Sequence, residues 1–298
     1  MASSSRNGSK KVYSFLGPVG TFTELALAQV KSAKGAVHKP VSSVTEAIDD
    51  VLSGAATRAI IPVENSIEGG VSATLDALAN SDNIRIFGEY LVPVTFNLVA
   101  RPGTKLADVR TIATHPVAYA QCRGWLAANL PQHAHLPATS TAAAASALLT
   151  KLVTLVRSIG DNKNAQTRFI EIGQAAKAPA RTGRDKTSVI VELPSDRPGA
   201  LLEMLEQFAA RGVNLSRIES RPIGDRLGRY RFNIDVQGHI DDSAVAEALM
   251  GLHRFSPKVT YLGSYARADK QKSQHEGNNE NIAFDSAEGW LKNLRAGK

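Results

Sequence analysis

The sequence predicts a mixed α/β protein built from two parts, and three observations support this prediction. The length of 298 residues is enough for about two domains that each bury a core. In the first half, short apolar runs typical of buried strands alternate with segments in which apolar residues recur at helical spacing. In the second half, the predicted elements follow the order βαββαβ, which is the ferredoxin-like split motif. A stretch of low hydrophobicity over 174–185 is the predicted linker.

The composition is that of an ordinary globular chain, with 43% hydrophobic and 21% charged residues. The net charge of +7 has two interpretations, an anionic partner or the Lys and Arg residues of the two polar ends. No Lys/Arg block is interleaved with aromatics, so no nucleic-acid partner is expected. No apolar run approaches the ~18–20 residues that span a bilayer, so no membrane partner is expected. Residues 1–11 lack the apolar core of a secretory signal and are predicted to be a disordered tail. The single cysteine, Cys122, excludes an internal disulfide and fits a reducing, cytoplasmic location.

The chain begins with a predicted strand, a glycine turn and a helix. The strand covers Val12–Leu16, and apolar residues at helical spacing over 25–30 follow, with Thr23 as the expected cap. Between them lies Gly17-Pro18-Val19-Gly20-Thr21-Phe22. Such a turn is an anion site when the N–H groups at the helix start are free, and a purely structural turn when they are not.

A second strand of the first half ends in polar side chains. A helix is predicted over 43–52, and the buried strand Ala59–Val63 then leads into Glu64, Asn65 and Ser66. Carboxylate, amide and hydroxyl groups at the carboxyl end of a strand suit a binding site. The alternative is an ordinary polar turn in which Ser66 caps the next element.

The extended segment over 84–100 is predicted to cross into a second lobe. His115 lies after the first strand of that lobe, and a lone histidine there is more often structural than catalytic. In chain order, the elements predicted for this lobe are a strand over 111–113, a helix over 117–130, a strand near 135–138 and an Ala-rich helix from 141.

A polar turn over 160–164 then leads to Thr167, Arg168 and Phe169 at the start of the apolar run 170–172. Open α/β sheets place ligand groups at strand ends next to loops, so this hydroxyl, guanidinium and ring are candidate site groups. A solvated turn is the alternative for any such tripeptide.

The second half is predicted in more detail. Its elements are a strand over 186–193, a helix over 200–211, strands over 215–223 and 228–236, a helix over 243–255 and a strand over 258–265. Beyond 266 the chain is polar and is predicted to be disordered, apart from a short helix around Trp290 and Leu291.

Four motifs now occur in the order that is seen in one family. They are Gly17-Pro18-x-Gly20-Thr21-Phe22, Glu64-Asn65-Ser66, Thr114-His115-Pro116 followed by Gln121-Cys122, and Thr167-Arg168-Phe169. With these motifs the first half resembles the prephenate dehydratases. The stretch from Gly199-Ala200-Leu201 to Asn214, with Glu219-Ser220-Arg221-Pro222, resembles the ACT module that follows their catalytic domain. The resemblance covers about residues 12–267.

The resemblance implies a two-lobed catalytic domain like a type II periplasmic binding protein, with the site in the cleft between its lobes. The implied bounds are 12–173 for this domain (lobe 1 about 12–95 plus a return near 167–173, lobe 2 about 96–166), 186–267 for the ACT domain and 268–298 for the polar tail. The implied reaction takes prephenate to phenylpyruvate with loss of CO2 and water. Phenylalanine is the implied effector, a homodimer or homotetramer is the implied assembly, and neither a cofactor nor a metal is implied.

The resemblance also carries roles over to residues of this chain. Thr167 matches the catalytic threonine, and Arg168 is either a carboxylate anchor or a structural cation. The implied catalytic residues are Thr167, Glu64, Asn65 and Gln121. The implied substrate-binding residues are Thr21, Ser66, Thr114, His115, Arg168 and Phe169. The implied effector-binding residues are Gly199, Ala200, Leu201, Asn214, Glu219, Ser220, Arg221 and Pro222. Cations are expected to hold the pyruvyl carboxylate, which the reaction leaves unchanged, rather than the ring carboxylate, whose charge disappears.

One segment departs from the family pattern. Between Ser140 and Asp161 the family has a helix, a strand, a second helix and a further strand, whereas this chain has only 20 residues there. A strand–helix–strand unit takes ~30 residues. We therefore expect a second lobe that lacks about one strand and one helix, leaving a sheet edge or cleft wall open. The residues that remain are predicted as one helix over 141–155, with 152–159 as its end or as a strand.

Three alternatives remain at the level of sequence. A catalytically impaired amino-acid sensor would keep only the ACT module. A solute-binding protein of similar fold would need a secretory signal and would not need an ACT pattern. Arogenate differs from prephenate only in the side chain that bears its amino group, and the sequence does not separate the two substrates.

Overall fold

The computed structural model describes residues 10–149, 151–272 and 280–297. The chain divides into two compact units. Residues up to 71 and 90–169 form the first unit, and residues 72–89 with those from 170 onward form the second. Most of the predicted tail over 1–11, residues 273–279 and Lys298 lie outside the described residues. Within the described residues no helix has the length and apolar character that a membrane crossing requires.

From residue 10 to residue 79 the chain forms strands and helices, and the predicted strands over 12–16 and 59–63 and the predicted helix over 43–52 are among them. The elements are β1 (Val12–Leu16), α1 (Phe22–Leu27), β2 (Val37–Val41), α2 (Val44–Leu52), β3 (Arg58–Asn65), β4 (Gly69–Gly70) and α3 (Ser72–Ala79). The next elements, up to the end of the predicted catalytic domain, are β5 (Ile84–Pro93), β6 (Leu98–Ala100), β7 (Thr111–Thr114), α4 (Pro116–Ala120), α5 (Arg123–Asn129), β8 (Ala134–Pro137), α6 (Thr141–Ser146), β9 (Val153–Val156) and β10 (Gln166–Gln174).

The main sheet has the strand order β2-β1-β3-β10-β5, and β4 pairs with the end of β3. β1 lies between β2 and β3 and runs parallel to both, so the carboxyl ends of these strands meet at one edge. Buried side chains such as Phe15, Leu27, Ile60 and Phe169 form the core that packs α1 on this sheet. The strand order places β3 beside β10, so the motif that ends β3 is next to the motif that begins β10.

The second lobe contains two separate two-stranded ladders among its described residues. β6 pairs antiparallel with β9, and β7 pairs parallel with β8. A small core that includes Leu98, Ile112, Leu126 and Ile159 joins the two ladders. Among the described residues each ladder has only two strands, so its outer edges are unpaired.

The prediction of one helix over 141–155 was wrong. α6 ends after Ser146, and Leu149 has a φ of 49°, in the left-handed region that a helix cannot continue through. The chain then forms β9 against β6. The alternative that this stretch holds a strand is therefore confirmed.

The predicted helix over 117–130 is also two helices. α4 ends at Ala120, and Cys122 has non-helical backbone angles before α5 begins. The carboxylate of Asp161 accepts hydrogen bonds from the N–H groups of Gly124 and Trp125, at 2.8 and 2.9 Å. This capping group comes from a loop 36 residues away in sequence, so the spacing of apolar residues gave no sign of the break.

The second unit confirms the predicted βαββαβ order. Its elements are β11 (Asp185–Glu192), α7 (Ala200–Ala209), β12 (Leu215–Pro222), β13 (Tyr230–Gln237), α8 (Ser243–Phe255) and β14 (Val259–Ala266). The four strands form one antiparallel sheet in the order β12-β13-β11-β14. Val189, Phe208, Ile234 and Leu252 belong to the core in which α7 and α8 cover one face of the sheet.

Residues 72–89 pack with this unit, although the sequence assigns them to the catalytic domain. The half-buried Lys186 ammonium pairs with the buried Glu89 carboxylate at 2.8 Å. A side chain at Gly263 would place its Cβ 2.4 Å from the backbone oxygen of Ile86, so only glycine allows this close approach. α3 and the first part of β5 therefore belong to the second compact unit, while the predicted domain boundaries stay a prediction.

The chain end holds a longer helix than predicted. α9 covers Asn281–Arg295, whereas the sequence predicted only a short helix around Trp290. Asn281 Oδ1 accepts from the N–H of Ser243 at 2.9 Å, and Phe284 packs against the core of the second unit. The helix is thus attached at its N-terminal end, and these contacts are not visible in the local sequence.

A buried carboxylate ties α2 to the first two strands. Asp50 accepts a hydrogen bond from Ser14 Oγ at 2.6 Å and pairs with Lys39 Nζ at 2.7 Å. Burial raises the pKa of Asp50, but the hydrogen bonds from Lys39 and Ser14 outweigh it and hold that pKa below its usual value. A folded-state pKa below the unfolded value contributes stability above the unfolded pKa, and the contribution disappears as pH falls through the folded pKa.

We predict that Asp50→Asn lowers the free energy of unfolding by about 1–3 kcal/mol at pH 7, because it removes the charge from a buried paired group. The difference from the parent should shrink as pH falls below about 4. Urea unfolding at several pH values measures both effects. Asp49→Asn, at the exposed neighbouring position, is the control and should leave stability unchanged. An Asp50→Asn deficit that stays constant down to pH 3 would contradict the assignment.

Candidate functional site

The first unit contains a cavity of about 1110 Å³ at the edge where β1 and β3 end and β10 begins. Apolar lining residues include Leu16, Phe22, Val41, Val94, Phe96 and Phe169. Polar lining residues include Thr21, Ser42, Asn65, His115, Gln121, Ser140 and Thr167. The rings of Phe22 and Phe96 meet edge to face, with centroids 6.1 Å apart. The cavity therefore offers an aromatic wall and a set of neutral hydrogen-bonding groups to a ring-sized ligand.

One hydrogen bond joins the motif at the end of β3 to the motif at the start of β10. Asn65 Nδ2 donates to Thr167 Oγ1 at 2.9 Å, across 102 residues of sequence. The Oδ1 atom of the same amide accepts from the N–H groups of Ile67 and Glu68, at 2.9 and 3.3 Å. Since backbone N–H groups only donate, these two contacts fix which end of the amide faces Thr167. Thr167 Oγ1 must accept, and its own O–H is left to donate to a group in the cavity.

The strand ends that carry these residues are fastened to each other. Ser66 Oγ accepts from the N–H of Gln166 at 3.0 Å, and the N–H of Ser66 donates to the carbonyl of Gln166 at 2.9 Å. Ser66 does not line the cavity. It positions Asn65 and Thr167, which are its neighbours along each strand.

Gln121 lies in the break between α4 and α5 and lines the cavity. The residue is 6% exposed, and its Oε1 atom has no hydrogen-bond partner among the described residues. Its backbone oxygen accepts from the N–H of Asp161 at 2.8 Å, which ties it to the loop that precedes β10. A buried amide oxygen without a protein partner is costly unless a ligand or water satisfies it.

The surroundings of the neighbouring Cys122 make its thiol unreactive. Burial, with a smaller contribution from the Asp161 carboxylate, raises the pKa of the Cys122 thiol to about 12. A thiol with this pKa remains protonated at neutral pH and is not a nucleophile. Cys122 therefore serves in the core of the second lobe.

His115 also lines the cavity, at the start of α4. Its Nδ1 accepts from the N–H of Val117 at 3.2 Å, so the neutral ring carries its proton on Nε2. This leaves Nε2–H as a donor. Thr114 does not line the cavity, and its carbonyl accepts from His135 Nε2 at 3.1 Å.

The glycine turn after β1 contributes Thr21 and Phe22 to the cavity. Thr21 occupies the cap position of α1, and Thr23, the expected cap, is buried inside the helix. The Thr21 hydroxyl donates to the carbonyl of Leu16 at 3.2 Å, and the N–H of Gly20 donates to the Glu24 carboxylate at 2.6 Å. A side chain on this chain already occupies the Gly20 amide, so the structural interpretation of the turn fits that position better than an anion site.

Arg168 is directed at Glu64 rather than at the cavity. Its Nη1 lies 3.4 Å from Glu64 Oε2, and the Arg168 side chain is 7% exposed. Neither residue lines the cavity, and no Lys, Arg, Asp or Glu is found among its described lining residues. Of the two roles considered for Arg168, the structural cation fits this geometry. The expectation that a cationic side chain contacts the ligand's carboxylate does not.

Sequence reasoning missed part of the cavity wall. Thr139, Ser140 and Thr141 line it at the start of α6, where Ser140 Oγ accepts from the N–H of Ala143 at 2.9 Å. Three consecutive hydroxyl residues before an Ala-rich run were visible in the sequence, but they indicated only a helix start. Of the ten residues expected in the catalytic site, the cavity brings together Thr21, Asn65, His115, Gln121, Thr167 and Phe169 and leaves out Glu64, Ser66, Thr114 and Arg168.

The expected effector residues all lie in the second unit. Gly199 adopts a φ of +83° at the cap of α7, Ala200 is buried and Leu201 is 40% exposed. Asn214, which precedes β12, accepts from the N–H of Gln237 through its backbone oxygen at 2.9 Å. Together they surround the start of α7 and the start of β12.

The remaining effector residues lie on β12, an edge strand whose exposure alternates along its length. Ser220 and Pro222 are exposed, while Glu219 and Arg221 are half-buried on the other face. Glu219 Oε2 pairs with Arg217 Nη1 at 3.1 Å. Arg221 pairs with Asp76 of α3 at 2.7 Å.

Two protein-family patterns match this chain. The prephenate dehydratase family pattern matches residues 13–151, and the ACT domain pattern matches residues 187–254. The first match ends inside the segment 141–160 that is short in this chain.

Individual relatives match over almost the full length. A prephenate dehydratase of Mycobacterium marinum is 43% identical over 308 positions, covering 95% of this chain and 96% of the relative. Since 95% of 298 residues is about 283, about 25 of these positions have no counterpart in this chain. This number is close to the size of one strand and one helix, which the sequence predicts to be missing.

Two solved structures are similar to this one. The crystal structure of prephenate dehydratase in complex with L-Phe from Arthrobacter aurescens has a TM-score of 0.90 and 50% identity, and the match covers 96% of this chain and 99% of that chain. A structure described as a novel type of quorum quenching acylase has a TM-score of 0.74 and 29% identity, over 88% of this chain and 100% of that chain. The same fold thus carries more than one named activity, and the site has to decide between them.

Proposed function

Because the chain belongs to the prephenate dehydratase family, we propose that it converts prephenate to phenylpyruvate and that phenylalanine regulates this reaction through the ACT domain. The substrate's ring loses its carboxylate as CO2 and its hydroxyl as water. The aromatic ring that forms supplies the driving force. The catalytic domain would cover 12–173 and the ACT domain 186–267, as the sequence predicts.

The observation that carries the proposal is the hydrogen bond from Asn65 to Thr167, which leaves the Thr167 hydroxyl free to donate. Departure of the ring hydroxyl requires a proton or a strong hydrogen bond on the leaving oxygen. Asn65 occupies the acceptor side of the Thr167 hydroxyl, so that hydroxyl can donate to an oxygen in the cavity. A threonine hydroxyl is a weak acid, and its effect therefore depends on its fixed position and on exclusion of water by the aromatic wall.

The neutral lining of the cavity suits a decarboxylation. A cation against the ring carboxylate would stabilise the substrate more than the transition state, because the charge leaves as CO2 forms. We assign the unchanged pyruvyl carboxylate to neutral donors, with His115 Nε2–H and the hydroxyl of Ser140 as candidates. Gln121 would hold the ring through its amide, whose oxygen is unpartnered among the described residues.

The shortened second lobe bears on the amount of activity. Six of the expected site residues still line one cavity, which supports an active enzyme. The lobe's two-stranded ladders have fewer neighbours than a continuous sheet would give them, so we propose a lobe of reduced stability. Reduced turnover relative to family members is the accompanying hypothesis.

Regulation is proposed from the ACT domain and from the related structure, which is a complex with L-Phe. Phenylalanine is the end product of the pathway to which this reaction belongs. The coupling free energy between an effector site and a catalytic site is typically ~1–3 kcal/mol. We further propose a homodimer or homotetramer formed through the ACT domains and a cytoplasmic location. The buried, protonated Cys122 is consistent with a reducing compartment.

We predict that Thr167→Ala lowers kcat for phenylpyruvate formation by about 10²–10³, the usual cost of removing one donor to a developing charge. Thr167→Ser keeps the hydroxyl and should stay within about tenfold of the parent. Release of phenylpyruvate from prephenate is the measurement, with arogenate offered in parallel. Thr154→Ala, at an exposed threonine of β9, is the control. Equal rates for Thr167→Ala and the parent would refute the role of the hydroxyl.

We also predict that phenylalanine inhibits the parent enzyme and that changes at Ser220 or Pro222, both exposed on β12, weaken inhibition without lowering the uninhibited rate. A coupling of ~1–3 kcal/mol corresponds to a change of about 5–150-fold in apparent affinity. Steady-state rates over a range of phenylalanine concentrations measure it. Superimposable inhibition curves for parent and variants would exclude this strand from the effector site.

A further inference from the structure

We propose that Asp76 of α3 is a positioning residue for the regulatory site: it holds the effector strand β12 in place and carries the effect of phenylalanine towards the catalytic residues. The proposal rests on the regulation proposed above. It assigns a role to a carboxylate that lies outside every motif found in the sequence.

Asp76 is bound by two arginines of the second unit. Arg221 makes a two-point contact, with Nη2 2.7 Å from Oδ2 and Nε 3.3 Å from Oδ1. Arg231 Nη2 donates to Oδ1 at 2.9 Å. Hydrogen bonds from Arg221 and then Arg231 outweigh burial and hold the pKa of Asp76 below its usual range, so the carboxylate is charged at neutral pH.

The two arginines need a shared counter-charge because of where they lie. Arg221 of β12 and Arg231 of β13 are direct partners in the antiparallel register. Like charges directly opposite each other destabilise strand pairing. Arg231 is only 7% exposed, and its Nε has no hydrogen-bond partner among the described residues. Without Asp76, two adjacent guanidinium groups would repel each other at the end of β12 that carries the effector motif.

A polar side chain beside this arginine pair also lacks hydrogen-bond partners among the described residues. Asn233 lies opposite Glu219 in the same register and is 1% exposed. Both amide atoms of Asn233 lack a hydrogen-bond partner among the described residues. The face of β12 and β13 that Asp76 contacts therefore contains buried polar groups whose arrangement can change, and Asp76 is the group that fixes one end of it.

The chain connects Asp76 to the catalytic residues over a short distance in sequence. Asp76 is 11 residues after Asn65. Between them, β4 pairs with β3, with Gly69 opposite Asn65 and Gly70 opposite Glu64. α3 begins two residues after Gly70, and its residues Thr74 and Leu75 are buried, so only a short piece of chain separates Asp76 from the turn at Asn65. A displacement of β12 that pulls on Asp76 would therefore reach the turn that orients the Asn65 amide.

The test compares Asp76→Asn with the parent in three measurements. They are inhibition of prephenate turnover by phenylalanine, binding of phenylalanine by calorimetry, and hydrogen exchange of the β12 amides in the absence of phenylalanine. We expect the half-inhibitory concentration to rise by about tenfold or more. The uninhibited kcat/KM should stay within about twofold, and the β12 amides should exchange faster.

Two further variants separate positioning from general stability. Asp82→Asn removes another carboxylate of the same segment, which pairs with Lys258 at 3.2 Å rather than with the effector strand, and it should behave as the parent does. Asp76→Glu keeps the charge and should restore part of the inhibition. A general loss of stability would lower the melting temperature of both Asp76→Asn and Asp82→Asn without changing the half-inhibitory concentration of phenylalanine.

The outcomes distinguish this inference from the function it rests on. If the parent is inhibited by phenylalanine and Asp76→Asn is inhibited equally, with unchanged β12 exchange, the role of Asp76 is wrong and the proposed function stands. If the parent neither binds phenylalanine nor responds to it, the proposed regulation is wrong and this inference falls with it. Inhibition lost in Asp76→Asn, kept in Asp82→Asn and partly restored in Asp76→Glu supports it.

Discussion

The hydrogen bond from Asn65 to Thr167 is the constraint on which the proposed chemistry depends. An amide side chain has two different ends. The backbone N–H groups of Ile67 and Glu68 donate to the oxygen end of Asn65, which fixes its orientation. The other end must then donate to Thr167 Oγ1. A hydroxyl that already accepts one strong donor is left with its proton to give. The turn after β3 thus determines the direction of a proton at the start of β10, and the pairing of Ser66 with Gln166 holds the two strand ends together while it does so.

The charged groups of the catalytic domain lie away from the cavity, and this distribution has a chemical reason. Arg168 pairs with Glu64, and Asp50 of α2 pairs with Lys39 of β2. The cavity itself presents hydroxyls, amides, one imidazole and aromatic rings. A substrate that loses its charge during the reaction gains nothing from a permanent cation nearby, whereas a departing oxygen gains from a fixed donor. The second unit uses charge differently, because there Asp76 holds two facing arginines in register.

The sequence predicted correctly those elements that depend on residues close together in the chain. The helix over 243–255 and the βαββαβ order were predicted correctly, since apolar periodicity and glycine turns determine them. Asn65, Gln121 and Thr167 were identified through the family resemblance, and the fold brings them to one cavity. The features that the sequence did not reveal depend on distant partners. Asp161 caps α5 and breaks the predicted helix at Cys122, Arg168 pairs with Glu64, and residues 72–89 fall in the second compact unit. No window of neighbouring residues contains those partners.

A double-mutant cycle on Asn65 and Thr167 tests the central claim most directly. The measured quantity is kcat/KM for phenylpyruvate formation in the parent, Asn65→Ala, Thr167→Ala and the double variant. If Asn65 acts by directing the Thr167 hydroxyl, its removal costs little once that hydroxyl is gone, and the double variant should be about as slow as Thr167→Ala alone. Losses that simply multiply in the double variant would show that the two residues act independently and would contradict the account.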